Sequence, residues 1–161
     1  MKSMMYLSLA VYFALNLLLV QAADLRNGMV AYWPLDEVQG TKTPDIARGY
    51  DMNLINLTAA DVVTGKWGKA FKFTAARSTM LERENLATDL LSLYTKHTNF
   101  TVSLWVNGPP NQQDKRVFSE ASTTANQPLF NLGTHNTAAD GSVDIYIRNN
   151  ANQQGGHKFS T

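Results

Sequence analysis

The chain has no cysteine among its 161 residues. That excludes a disulfide scaffold, a thiolate nucleophile and any cysteine-based zinc site. It also lacks a dominant charge: 14 Lys and Arg stand against 13 Asp and Glu, a formal net charge of +1. Nucleic acids and anionic membranes are gripped by basic stripes, and none is present, so no nucleic-acid partner is expected. No Gly-x-Ser-x-Gly elbow occurs. The three histidines, His97, His135 and His157, are far apart and each sits in polar sequence, the context of surface residues and not of a metal cluster. No segment recurs at a fixed period, which argues against propellers and solenoids.

One long apolar run is present, and it lies at the start. Lys2 is followed by an almost wholly apolar stretch, residues 4–20, and then by Val20-Gln21-Ala22. Small residues at positions −3 and −1 of a cut after Ala22 make residues 1–22 a secretory signal peptide. The run approaches membrane-spanning length, but polar Ser8 and Asn16 and the small-residue exit favour cleavage. No membrane span is then expected in the mature chain. Removing 22 of the 161 residues leaves 139, enough for one domain with a real core. Removing Lys2 leaves thirteen basic residues against thirteen acidic ones. The domain is therefore expected over residues 23–161, in a secreted, cell-surface or periplasmic protein. Asn56-Leu-Thr58 and Asn99-Phe-Thr101 also match the glycosylation acceptor pattern.

The rest of the chain reads as short strands divided by turns. Residues 99–108 show the strongest alternation: Phe100, Val102, Leu104 and Val106 on one face, Thr101, Ser103 and Trp105 on the other. Period two with β-branched and aromatic residues is the pattern of a strand with one face in a core. Gly108-Pro109-Pro110 ends it, because proline cannot donate to a ladder. With Trp105 on the second face, a central strand is expected, and replacing Leu104 by Ala there is expected to cost about 2–5 kcal/mol. Further strands are expected at residues 29–33, 52–57, 70–74, 77–81, 116–119, 129–132 and 143–148. In the last, Val143, Ile145 and Ile147 are expected to face the core, and Asp144, Tyr146 and Arg148 to face away. Asp140-Gly141 ahead of it is a hairpin signal. Residues 84–94 carry leucines at three- to four-residue spacing, enough for a short helical turn. Residues 149–161, rich in Asn, Gln and Gly, read as a polar tail. This is the layout of an all-β protein, an antiparallel β-sandwich.

Four segments together resemble the laminin G-like branch of the concanavalin A-like lectin/glucanase superfamily. They are Val30-Ala-Tyr-Trp-Pro-Leu-Asp-Glu37, Gly65-Lys-Trp-Gly-Lys-Ala-Phe-Lys-Phe73, Asn99-Phe-Thr-Val-Ser-Leu-Trp-Val106 and Val143-Asp-Ile-Tyr-Ile147. Their order and spacing cover roughly residues 28–148. The resemblance implies a jelly roll of two antiparallel sheets, an accessory module of secreted or surface proteins. Family members continue with strands that this sequence does not contain, so a domain incomplete at its C-terminus is expected. The resemblance also implies that calcium is possible, held by loop oxygens. Asp36 and Asp45, in a Gly-rich acidic loop, are the candidates, although about six to eight hard oxygens are needed and no EF-hand spacing is present.

Sugar recognition needs an aromatic platform with polar groups beside it. Trp105, Tyr146 and Arg148 all lie on the faces expected to point away from the core, and together they are the candidate ligand-binding residues. No catalytic residues are assigned. Retaining glucanases need carboxylates about 5 Å apart, and the only pair of suitable parity is Glu82 and Glu84, in a charged loop context. The expected function is non-catalytic binding of a glycan or an extracellular protein. The alternatives are a glycoside hydrolase of the same superfamily and a purely structural domain of a larger surface protein.

Overall fold

The computed structural model describes residues 26–160 apart from residues 123 and 126. Residues 1–22, expected to be a signal peptide, lie outside the described residues. Every ladder is antiparallel. Strands β1 (Lys42–Thr43), β2 (Met52–Ile55) and β5 (Met80–Glu82) form a three-stranded sheet in the order β1-β2-β5, and β3 (Val62–Thr64) pairs with β4 (Lys69–Phe71) as a hairpin. Strands β6 (Arg116–Ala121), β7 (Leu129–Thr134), β8 (Val143–Arg148) and β9 (Gln154–Phe159) form a four-stranded meander. Among the described residues helix is limited to a four-residue turn, α1 (Leu93–Lys96), and two three-residue 3-10 turns, Ala59–Asp61 and Ala75–Arg77. The result is an all-β, sandwich-like architecture without a closed barrel. Among the described strands only β6–β9 follow one another as a meander, β5 pairing back onto β2 in the three-stranded sheet.

Local chemistry explains several of these elements. The β3–β4 hairpin closes with Gly65 N–H donating to the Gly68 carbonyl at 3.0 Å. Gly68 has φ +63°, and a Cβ there would sit 2.5 Å from Asp36 Oδ1, so two independent constraints require glycine. A helix as short as α1 cannot satisfy its own first N–H groups. Glu120 of β6 satisfies two of them, its carboxylate accepting from Leu93 N at 2.9 Å and Tyr94 N at 3.1 Å. Over the same end of the sheet, Phe130 gathers Phe100 (ring centroids 5.3 Å apart, edge-on), Phe118 (6.1 Å) and Tyr94 (6.3 Å). Leu91, Leu93, Leu129 and Phe130 are buried around this point.

Four sequence expectations are corrected. Residues 99–108 form no strand: Phe100 docks in the Phe130 cluster, but Leu104 is 40%, Val106 58% and Trp105 72% exposed. Alternation specifies which face would be apolar once a strand is paired; it cannot supply the neighbouring edge. Residues 29–33 also join no ladder. The Tyr32 N–H donates to Asp45 Oδ1 at 2.6 Å and its carbonyl accepts from Ile46 N at 3.0 Å, so a carboxylate clasps this segment. Within β8 the alternation is right but its sense is reversed. Val143 and Ile145 are 46% and 38% exposed, whereas Asp144 and Tyr146 are 2% and 8% exposed, because the polar face closes on its own neighbours. Finally, residues 149–160 of the expected polar tail 149–161 are not a tail. Asn149 Oδ1 accepts from Ala151 N and Gln153 N, forming a turn that returns the chain as β9. Ladder bonds come from the backbone, so a strand can form without apolar periodicity.

Candidate ligand-binding cleft on the four-stranded sheet

The reversed face of β8 builds the site. In the ladder register Tyr146 stands opposite Asn131 of β7 on one side and His157 of β9 on the other, and Arg148 stands opposite Leu129. Directly opposed residues of antiparallel strands share a face, so these side chains meet. Arg116 at the start of β6, with Asp114 just before it and Asn136 just after β7, completes the lining of a cleft of about 320 Å³. The rim is tied down by its backbone. Asp114 N donates to the His135 carbonyl at 2.9 Å and Gln113 Nε2 to the Asn136 carbonyl at 3.1 Å.

Polar side chains fill the floor. His157 Nδ1 lies 2.6 Å from Asp144 Oδ2, and the imidazole stacks on Tyr146 with centroids 4.5 Å apart and planes 22° from parallel. Arg148 Nη2 donates to the Tyr146 hydroxyl at 2.9 Å, and its guanidinium lies 5.5 Å from the Tyr146 ring centroid. Despite this network, Asn131 Oδ1, Asp144 Oδ1 and Arg148 Nε are buried without a hydrogen-bond partner. Buried polar atoms are nearly always paired, and unpaired ones ask for an explanation. Two acceptors and one donor on a single cleft floor make a constellation that a hydroxyl-bearing molecule can complete.

The structure places the sequence candidates in three places. Tyr146 and Arg148 are together in the cleft. Trp105 is not among the cleft-lining residues: its indole is exposed beside Lys66, whose Nζ lies 5.6 Å from the Trp105 ring and 5.9 Å from the Trp67 ring. Asp36 and Asp45 brace loops. Asp36 Oδ1 accepts from Lys69 N at 2.6 Å. Asp45 is 5% exposed, and its two oxygens take the N–H groups of Tyr32, Ala47, Arg48 and Tyr50 at 2.6–3.1 Å. Burial pushes the Asp45 carboxyl up, but the four N–H donors outweigh it and hold the group below its ordinary value. Four backbone donors on one carboxylate are the marks of a loop-bracing group. Among the described residues no three His, Cys, Asp or Glu side chains gather as a group able to hold a metal.

The cleft adds Asn131, His157 and Arg116, which sequence reading did not treat as binding residues, and Asp144, which it weighed only, with Asn136 and Asp140, as flanking a second acidic loop considered for calcium. Asp144 carried a signal, since it shares the parity of Tyr146 and Arg148. His157 and Arg116 carried none, because they reach the site only through the register of β9 and β6. Glu82 closes the end of β5 opposite Asn53 and is exposed, as is Glu84; neither lines the cleft.

No protein-family model and no curated protein matches the chain. Among solved structures, the chain is similar to residues 221–444 of an S-layer domain-containing protein from Clostridium thermocellum, with TM-score 0.58 and 19% sequence identity. The similarity covers 81% of this chain and 55% of that one, so the chain spans about half the length of the structure it matches. At this identity the likeness speaks to fold alone: a β-sheet-rich architecture of the sandwich kind, and not the laminin G-like family in particular.

Proposed function

We propose that this chain is an exported, surface-associated, non-catalytic module that binds a glycan in the cleft formed by β6–β9. The observation that carries the reading is the set of unpartnered buried atoms, Asn131 Oδ1, Asp144 Oδ1 and Arg148 Nε, beside the stacked Tyr146–His157 pair. Sugars supply hydroxyls that both donate and accept, and aromatic rings supply the apolar surface their carbon faces need. The export signal in residues 1–22 and the fold likeness to a protein named for its S-layer domain support a surface setting. The laminin G-like resemblance, with its jelly roll, is the finer form of the same reading.

Glycan-array binding and polysaccharide pull-down with the mature chain test it. Binding that Tyr146→Ala and Arg148→Ala both weaken at least tenfold is the expected result. Binding that only Trp105→Ala abolishes would move the site to the Lys66–Trp67–Trp105 surface. Release of reducing sugar from β-glucans would replace the reading with a glycoside hydrolase. Calcium at Asp36 and Asp45 is a separate proposal supported by loop acidity alone. A melting temperature raised by calcium after chelator treatment, and no longer raised in Asp36→Asn, is its expected signature.

A further inference from the structure

Asp144 and Arg148 lie four residues apart on the same face of β8. At a rise of about 3.3 Å per residue their Cα atoms are roughly 13 Å apart. Tyr146 stands between them, and Asn131 faces Tyr146 from β7. The Arg148 guanidinium turns back toward Tyr146, so the unmet acceptors Asp144 Oδ1 and Asn131 Oδ1 and the unmet donor Arg148 Nε gather around that ring.

Resting on the glycan reading above, we propose that the cleft takes a neutral sugar and not an acidic or amino one. Its hydroxyls donate to Asp144 and Asn131, and one of them accepts from Arg148 Nε. A carboxylate or sulfate brings no donor for either orphan acceptor. It would also meet the Asp144 carboxylate, 2% exposed on the floor, and Asp114 on the rim. An ammonium brings donors but cannot accept from Arg148, and it faces Arg116 and Arg148 together. Only a group that both donates and accepts answers all three atoms. The floor atoms lie beneath their neighbours, so the ligand enters by lifting the long side chains of Arg116 and Arg148. The Arg148–Tyr146 hydrogen bond, at 2.9 Å, is the contact exchanged for the ligand.

Calorimetric titration of the mature chain tests this with gluco-, manno- and galacto-oligosaccharides of one to four units, and with oligogalacturonates of the same lengths. At least one neutral series is expected to bind. The acidic series is expected to bind at least tenfold more weakly than its neutral galactose counterpart. Asn131→Ala and Arg148→Lys should each lose about fivefold or more for the neutral ligand with an unchanged melting temperature. Asp144→Asn should lose more, and if it fails to fold, the other two variants carry the test. Oligogalacturonate bound as tightly as the neutral series would overturn the neutral assignment while leaving glycan binding intact. Unchanged affinity in Asn131→Ala and Arg148→Lys would remove the assigned atoms. Failure of every sugar to bind would overturn the glycan reading itself.

Discussion

Asp45 shows how one side chain organises a loop that has no ladder of its own. Its carboxylate accepts four backbone N–H groups spread over residues 32–50, replacing the pairing that a strand at residues 29–33 would have supplied. Because the folded state holds the carboxyl below its ordinary value of 3.8, Asp45 contributes stability that is fully present above that value. The contribution is lost as pH falls through the lower folded value. Asp61, held down first by Arg77, and Asp89, held down first by the Leu86 N–H, act in the same direction. Urea unfolding is therefore expected to show steady stability from pH 7 to pH 5 and a decline below about pH 4. Asp45→Asn should cost about 1–3 kcal/mol at pH 7, since it weakens charge-assisted bonds and leaves donors unmet. A variant as stable as the parent would remove Asp45 from this role. The acidity of the loop was legible in sequence, but calcium and backbone N–H groups recruit the same residue type, and spacing alone did not separate them.

At the scale of elements, burial decides which substitutions matter. Leu104→Ala, costly if the segment were a core strand, is expected to change stability by only about 0.5 kcal/mol because the side chain is 40% exposed. Phe130→Ala should cost about 3–5 kcal/mol, because Phe130 is 8% exposed and three other rings pack on it. Parallel urea titrations give both values, and a Leu104 loss above 2 kcal/mol would restore the strand. Glu120→Ala should cost about 1 kcal/mol and speed amide exchange at Leu93 and Tyr94, whose N–H groups it caps. Exchange unchanged at those two amides would show that α1 does not depend on the cap. Sequence reading located β6, β7 and β8 to within two residues, because their alternation is paired with turn residues. It missed β9, whose Gln-Gly-Gly-His-Lys-Phe has no apolar period and is held by backbone bonds to β8.

For the whole molecule, the four-stranded sheet is the most continuous set of ladders and should be the last part to open. Hydrogen exchange is expected to be slowest at the paired amides of β7 and β8, which have neighbours on both sides, and among the fastest over residues 101–108, which join no strand. Strong protection across residues 101–108 would mean that the segment pairs in solution. Composition and order along the chain determined what depends on local chemistry: an all-β class, the positions of most turns, and the shared parity of Asp144, Tyr146 and Arg148. Tertiary structure alone decided which face of β8 is buried, whether residues 99–108 find a neighbour, and that Asn131 and His157 flank Tyr146. The reason is physical. A strand's periodicity belongs to its own backbone, whereas burial, pairing and register are set by the edges and side chains of other strands, and these meet only when the sheet assembles.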